Sequence, residues 1–210
     1  MAIIKQGILG GFKKKIGSVV GSSWKGVATM RSLPLSVANP KTAAQVSNRD
    51  RFKTCAQFAS LILASIIKPL MDRFAGQMSG YNYFTKLNKE VFADPEDVAW
   101  DNLVIAKGKM IQPGLTVNTA ASSPGFRGAI TVPTDRYGLP TDQLYMLAVL
   151  EDTGEVLYQG NTRLTRTATQ WSLTLPKYPS SGQKLAVYGA YLRADGSEVS
   201  NTGVTEYTAS

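Results

Sequence analysis

Apolar positions recur along this chain at two periods, and the change of period marks its parts. Between residues 16 and 31, Trp24, Gly26, Ala28 and Met30 alternate with Lys25, Val27, Thr29 and Arg31. This predicts a strand, with Ile16 to Val20 as a preceding one and Gly21-Ser22-Ser23 as the hairpin turn between them. From Phe52 the spacing changes to three and four: Phe52, Cys55, Ala59, Ile62 and Ile66 form one helical stripe. Arg49, Lys53, Gln57 and Ser60 fall opposite it, as a solvated face. Thr42 and Gln45 have the spacing of a capping box, which starts this helix. From Phe58 to Ile67 the helix is apolar nearly all round, so it needs cover on more than one side. Pro69 kinks or restarts it, and Gly76 stops it. Ser79 then caps a second helix over residues 80–92, with Tyr81, Phe84, Leu87 and Val91 on one face.

Beyond residue 101 the pattern is short and strand-like. The predicted strands are Leu103–Ala106, Leu115–Thr119, Ala129–Val132, Leu144–Leu150, Val156–Tyr158, Gln170–Leu175, Leu185–Leu192 and Val204–Tyr207. Asp152-Thr153-Gly154 and Ala194-Asp195-Gly196-Ser197 read as turns between them. That density of strands predicts a β-sandwich. The expected fold class is α+β: a Gly-rich arm or hairpin over 1–38, a helical segment over 39–93, an acidic linker over 94–101 with Pro95 and Glu96, and an antiparallel Ig-like sandwich over 102–210.

Composition narrows the chemistry. The 210 residues contain no histidine and one cysteine, Cys55. This excludes a Ser-His-Asp triad, a Cys-His dyad, an HExxH zinc site and an intramolecular disulfide. Cys55 lies on the apolar stripe and reads as a small core residue. Neither Gly11-Phe12-Lys13-Lys14 nor Gly21-Ser22-Ser23-Trp24-Lys25 fits a P-loop, and the other glycines fit no dinucleotide fingerprint. The carboxylates Asp94, Glu96, Asp97 and Asp101 read as linker, and Glu151-Asp152 as a turn. No enzyme activity, cofactor, metal or small-molecule substrate is expected.

Charge is uneven. The net +8 divides into +11 over residues 1–93 and −3 over residues 94–210. A basic half predicts a polyanion or an acidic partner, and a head-to-tail homo-oligomer joining basic part to acidic part would use the same division. Candidate contacts are Lys13, Lys14, Lys15, Trp24, Lys25, Arg31, Arg49 and Lys53, with Trp24 as a stacking residue if the partner is nucleic acid. The apolar helix residues Phe52, Phe58, Ile62 and Ile66 are candidates for an assembly interface. Tyr145, Tyr158, Tyr188 and Tyr191 would serve a surface-binding adhesin. The opening residues lack the pattern of a signal peptide, and the run Leu61 to Ile67 is too short to span a membrane.

Two resemblances sharpen these expectations. Trp171-Ser172-Leu173-Thr174-Leu175-Pro176, Tyr178 and Lys184 to Tyr191 resemble the E-to-F strand passage of fibronectin type III domains. The block from Ile4 to Phe12, Gly17 to Gly26, and Arg31-Ser32-Leu33-Pro34 with Asn39-Pro40-Lys41-Thr42, Gln45, Arg49 and Phe52 resemble an uncharacterised family of Bacteroidota and their phages. This chain has Lys13-Lys14-Lys15 where a less basic stretch is expected. The resemblance carries no functional site. It implies a phage virion structural protein (capsid, decoration or head–tail component), made in the host cytoplasm and assembling with copies of itself or other virion proteins. Nucleic-acid binding through the basic half is the alternative.

Overall fold

A computed structural model describes residues 2–4, 13–94, 97–118 and 126–209. The glycines at 7, 10 and 11, the Pro95-Glu96 pair and the end of the strand expected at 115–119 lie outside these. The chain forms two compact units, Met1–Val46 and Ser47–Ser210.

The first unit is an antiparallel four-stranded sheet of β1 (Ala2–Ile4), β2 (Lys14–Ile16), β3 (Val19–Trp24) and β4 (Val27–Ser32), in the order β1-β4-β3-β2. The expected turn at Gly21-Ser22-Ser23 is instead part of β3, where Ser22 pairs with Thr29 and their hydroxyls lie 2.8 Å apart. The true turns are the two-residue loops Gly17-Ser18 and Lys25-Gly26. Lys25 and Gly26 hold φ of 45° and 79°, the paired positive values of a I′ turn, whose twist matches that of the flanking strands. That conformational demand, with Gly26 meeting half of it, outweighs the polar character of Ser22 and Ser23.

The second unit begins on α1 (Ala43–Leu61), which crosses the boundary between the units. Thr42 accepts a hydrogen bond from the Gln45 amide at 3.4 Å, the cap its position predicts. The helix loosens into a π-helical turn at Leu63–Ile67 and resumes as α2 (Lys68–Met71), at 69° to its first part. The break falls at Ile62, where φ and ψ are −97° and 7° and the Ile66 and Ile67 amides share the Ile62 carbonyl, while Pro69 lies in the first turn of α2, where its missing N–H is tolerated. Ser79 caps α3 (Gly80–Asn88) through the Asn82 amide at 3.2 Å.

Seven strands follow: β5 (Gly114–Val117), β6 (Phe126–Thr131), β7 (Gln143–Leu150), β8 (Glu155–Thr165), β9 (Gln170–Leu173), β10 (Lys184–Leu192) and β11 (Gly203–Thr208). They form a three-stranded sheet, β5-β6-β9, and a four-stranded sheet, β11-β10-β7-β8, all antiparallel. This β-sandwich-like arrangement is compatible with an Ig-like fold.

The four-stranded sheet is covered on both faces. Leu144, Met146, Ala148 and Leu150 of β7, with Leu185, Val187 and Tyr191 of β10, join a core with Leu115, Phe126, Ile130 and Trp171 of the smaller sheet. The alternate residues Leu147, Val149, Ala186, Tyr188 and Ala190 pack with Phe58, Ile62, Ile66, Leu70, Phe84 and Phe92 of the helical layer. The helical segment is therefore a third layer of the sandwich. The expected linker is part of that layer too. Trp100 is buried against Phe58 and Phe92, its indole N–H donates to the Glu151 carbonyl at 2.9 Å, and its own carbonyl accepts from the Tyr188 hydroxyl at 2.6 Å.

Leu103–Ala106, expected as a strand, forms no ladder. Its amides are satisfied by side chains: Val104 donates to Asn88 Oδ1, and Ile105 and Ala106 to Thr202 Oγ1, at 2.7–3.0 Å. Leu103, Ile105 and Ala106 are buried, so its apolar pattern reflects packing under the helices.

Gly128 shows how closely the strands and side chains of the three-stranded sheet pack around β6. A Cβ there would collide with the Thr116 carbonyl and the Trp171 ring. Gly128→Ala is expected to cost about 1–3 kcal/mol, checked by urea unfolding.

Candidate docking surfaces

Among the described residues from 13 to 54, only Gly21 is buried. The segment is nonetheless rich in apolar side chains. Ile16, Trp24, Met30, Leu33, Leu35, Val37, Val46 and Phe52 are eight of the fifteen exposed large apolar side chains among the described residues. Two-stranded and small sheets without a covered face are marginal in water, as is an isolated helix of three turns. Contiguous exposed apolar surface is a physical mark of interaction sites.

The sheet register decides which candidate residues share a face. Lys15 pairs with Val20 and Val20 with Arg31, placing these three in one row. Ser22 and Thr29 form the next row on that face, and Trp24 and Val27 the row after it. Lys15, Arg31 and the 60% exposed Trp24 therefore lie on one face, with Trp24 about 13 Å along the strand from Val20. Lys14 pairs with Gly21 in a row of the opposite face, and Lys13 precedes the strand; both are exposed. Lys25 sits in the turn beside Trp24. Arg49 and Lys53 are one helical turn apart on the uncovered first half of α1.

The four apolar helix candidates divide. Phe58, Ile62 and Ile66 are 0–5% exposed and belong to the chain's own core, because β7 and β10 already cover them. Phe52 remains 59% exposed, where the stripe runs off the end of the sheet. Tyr188 and Tyr191 are fully buried, and Tyr145 and Tyr158 partly so.

The second unit carries a groove that no motif marks in the sequence. It has a volume of about 230 Å3, and α1 supplies one wall through Thr54, Gln57, Phe58 and Leu61. Phe92, Val98 and Trp100 form its floor, and the Glu151–Gly154 turn its other wall. Leu61 stays 61% exposed at the lip. Glu151 has one carboxylate oxygen, Oε1, buried without a hydrogen-bond partner. Burial pushes its carboxyl above the usual range, helped by the nearby Glu206, Asp152 and Asp101 and opposed by Lys184. Only the folded chain brings these residues together, so spacing could not reveal the groove.

A second polar cluster absent from the sequence reading is centred on Arg166. Its guanidinium is 3.3 Å from Asp135 and 3.6 Å from Asp142, and lies over the Tyr191 ring at 4.9 Å. Asp135 also accepts from the Ile111 and Tyr137 amides, at 2.7 and 2.9 Å. Burial alone would raise the Asp135 carboxyl; these two amides and Arg166 outweigh it and hold the group below the carboxylate range. The cluster joins loops at one end of the sandwich and reads as a structural staple. Among the described residues no three His, Cys, Asp or Glu side chains come together to hold a metal ion, and no single helix is long and apolar enough to cross a membrane.

The raised Glu151 carboxyl gives a signed prediction. Its ionised form is disfavoured by the fold, so its cost is present above its folded pKa and disappears as pH falls through it. Glu151→Gln is expected to raise the thermal midpoint at pH 7, with the gain shrinking toward about pH 4, where the wild-type side chain is itself protonated. Thermal unfolding of both proteins across that range measures it.

Comparison with known proteins gives little beyond kinship. No curated protein matches the chain. Among solved structures, it is similar to the crystal structure of the Clostridium perfringens spore cortex lytic enzyme SleM, at 16% identity and a TM-score of 0.30. The match covers 50% of this chain and 29% of that enzyme, so the chain spans under a third of its length. A likeness of that extent carries no argument about fold or activity. A family model, by contrast, matches residues 11–205, through the sheet, the helices and the sandwich. The chain belongs to that family, described as a family of unknown function (DUF6266).

Proposed function

We propose that this chain is a structural subunit of a phage particle, a capsid, decoration or head–tail component, that assembles through its N-terminal sheet and the uncovered half of α1. The carrying observation is the contrast between its two parts. Residues 55–209 hold both hydrophobic cores, whereas residues 13–54 form strands and helix with one buried residue, Gly21. Secondary structure whose side chains stay this exposed is suited to burial against a partner. The phage context comes from the Gly/Trp block and the Asn39-Pro40-Lys41-Thr42 block, and a particle subunit requires many repeated contacts and no turnover.

The test is the mass in solution of the full chain and of a chain lacking residues 1–38. Every core residue is retained in the shortened chain, so it is expected to keep its cooperative unfolding transition while losing assembly. A full chain that remains a single copy at high concentration would overturn the proposal, as would assembly unaffected by the deletion.

A second reading, nucleic-acid binding, is favoured by the shared face of Lys15, Arg31 and Trp24. Residues 1–46 also contain seven Lys/Arg and no Asp/Glu. Filter binding to single-stranded DNA is then expected to weaken steeply with salt, each phosphate contact adding about 0.7 to the log–log slope. Affinity independent of salt would sink this reading.

A further inference from the structure

We propose that the face of the N-terminal sheet bearing Lys15, Arg31 and Trp24 is a track for single-stranded nucleic acid, with backbone phosphates on the two cations and a base stacked on the indole. The inference rests on the nucleic-acid reading above. It adds the form of the nucleic acid and the side chains that tell it from a duplex.

Register puts three kinds of contact on this face in a fixed order. Lys15 and Arg31 stand on either side of Val20, about 10 Å apart across three strands. The next row holds the Ser22 and Thr29 hydroxyls, and the row beyond it Trp24 and Val27. Cations and hydroxyls are the usual partners of phosphate and sugar, and an exposed aromatic ring is the usual partner of a base. From Val20 to Trp24 the rows span about 13 Å, a length that a few nucleotides of an extended strand cover. A duplex keeps its bases stacked on one another and offers Trp24 no base face, whereas every base of a single strand has one.

Charge points to the same occupant. The unit has seven Lys/Arg and no Asp/Glu, so its own sequence supplies no carboxylate to compete with a phosphate for Lys15 or Arg31. An acidic protein would answer the cations alone; the ring on the same face is what a base answers. The opposite face differs in kind. Its rows carry the exposed apolar side chains Ile16 and Met30, with Lys14 as their cation. A face suited to subunit contact and a face suited to nucleic acid thus lie on opposite sides of one sheet, and a single copy can use both.

Indole fluorescence of the full chain tests this. Of the three tryptophans, Trp100 and Trp171 are 7% and 2% exposed against 60% for Trp24, so quenching by a bound strand reports Trp24. Thymidine and uridine homopolymers are each expected to quench it. Trp24→Ala is expected to weaken single-strand binding about fivefold or more while changing duplex binding less than about twofold. Trp24→Phe keeps a ring to stack on and is expected to hold the affinity while losing the quenching. Lys15→Gln with Arg31→Gln is expected to lower the log–log salt slope by about 0.7 for each cation removed. Lys107→Ala, which removes an exposed cation of the second unit, is expected to leave the slope unchanged. Homopolymer binding without quenching would overturn the proposal, as would a Trp24→Ala loss shared equally by the duplex. Equal quenching by polyglutamate, which has charge and no base, would overturn it too. In each of these cases salt-dependent binding of nucleic acid leaves the nucleic-acid reading standing; a chain that binds no nucleic acid ends both.

Discussion

The double burial of β7 and β10 is the constraint on which the rest of the second unit depends. Each strand sends alternate side chains into two cores, one shared with the smaller sheet and one with the helices. Remove either neighbour and half of a continuous apolar run faces water. At about 1.5–3 kcal/mol for each large aliphatic or aromatic side chain left exposed, the sheet could not exist with only one cover. The helical layer is thus part of the sandwich, and Trp100 and Asn88 are the polar fasteners that hold it down. Trp100 ties the segment after the helices to the turn that follows β7 and to β10, through its N–H and carbonyl. Asn88 bridges the end of α3 to Val104 with both ends of its amide.

That closure sets the character of the remainder. With β7 and β10 covering Phe58, Ile62 and Ile66, the apolar helix surface is satisfied within the chain and is not offered to partners. What stays exposed is, in one unit, the N-terminal sheet, and, in the other, the start of α1 and the groove lined by its Thr54, Gln57, Phe58 and Leu61. Basic residues dominate the first of these surfaces and carboxylates border the last.

Local features were legible from the sequence to the extent that their cause is local. The Thr42 and Ser79 caps need only a hydroxyl and amides within three residues, so spacing suffices. The 3.6-residue stripe over Cys55, Ala59, Ile62 and Ile66 reports a buried helix face for the same reason. The hairpin turn was misplaced because Ser22 and Ser23 resemble turn residues, while the I′ turn places Lys25, with no turn propensity, at positive φ. Leu103–Ala106 has the alternation of a strand, yet its amides find Asn88 and Thr202, the second almost a hundred residues away. Neither the groove nor the Arg166 cluster could be read, since Phe58, Trp100 and Glu151, or Asp135 and Arg166, meet only after folding.

By itself the sequence determined the α+β class, the helix starts, most strands, the lack of histidine chemistry and the confinement of the net positive charge to the N-terminal half. Each follows from residue type or from periodicity over a few turns. Only the tertiary structure decided which apolar surface is used up and which remains. The long runs of β7 and β10 and the all-round apolar helix both state a need for cover, and neither names the cover. Burial is a relation between distant segments, so it took the fold to pair those two needs with each other and leave Phe52 exposed at the end of the stripe.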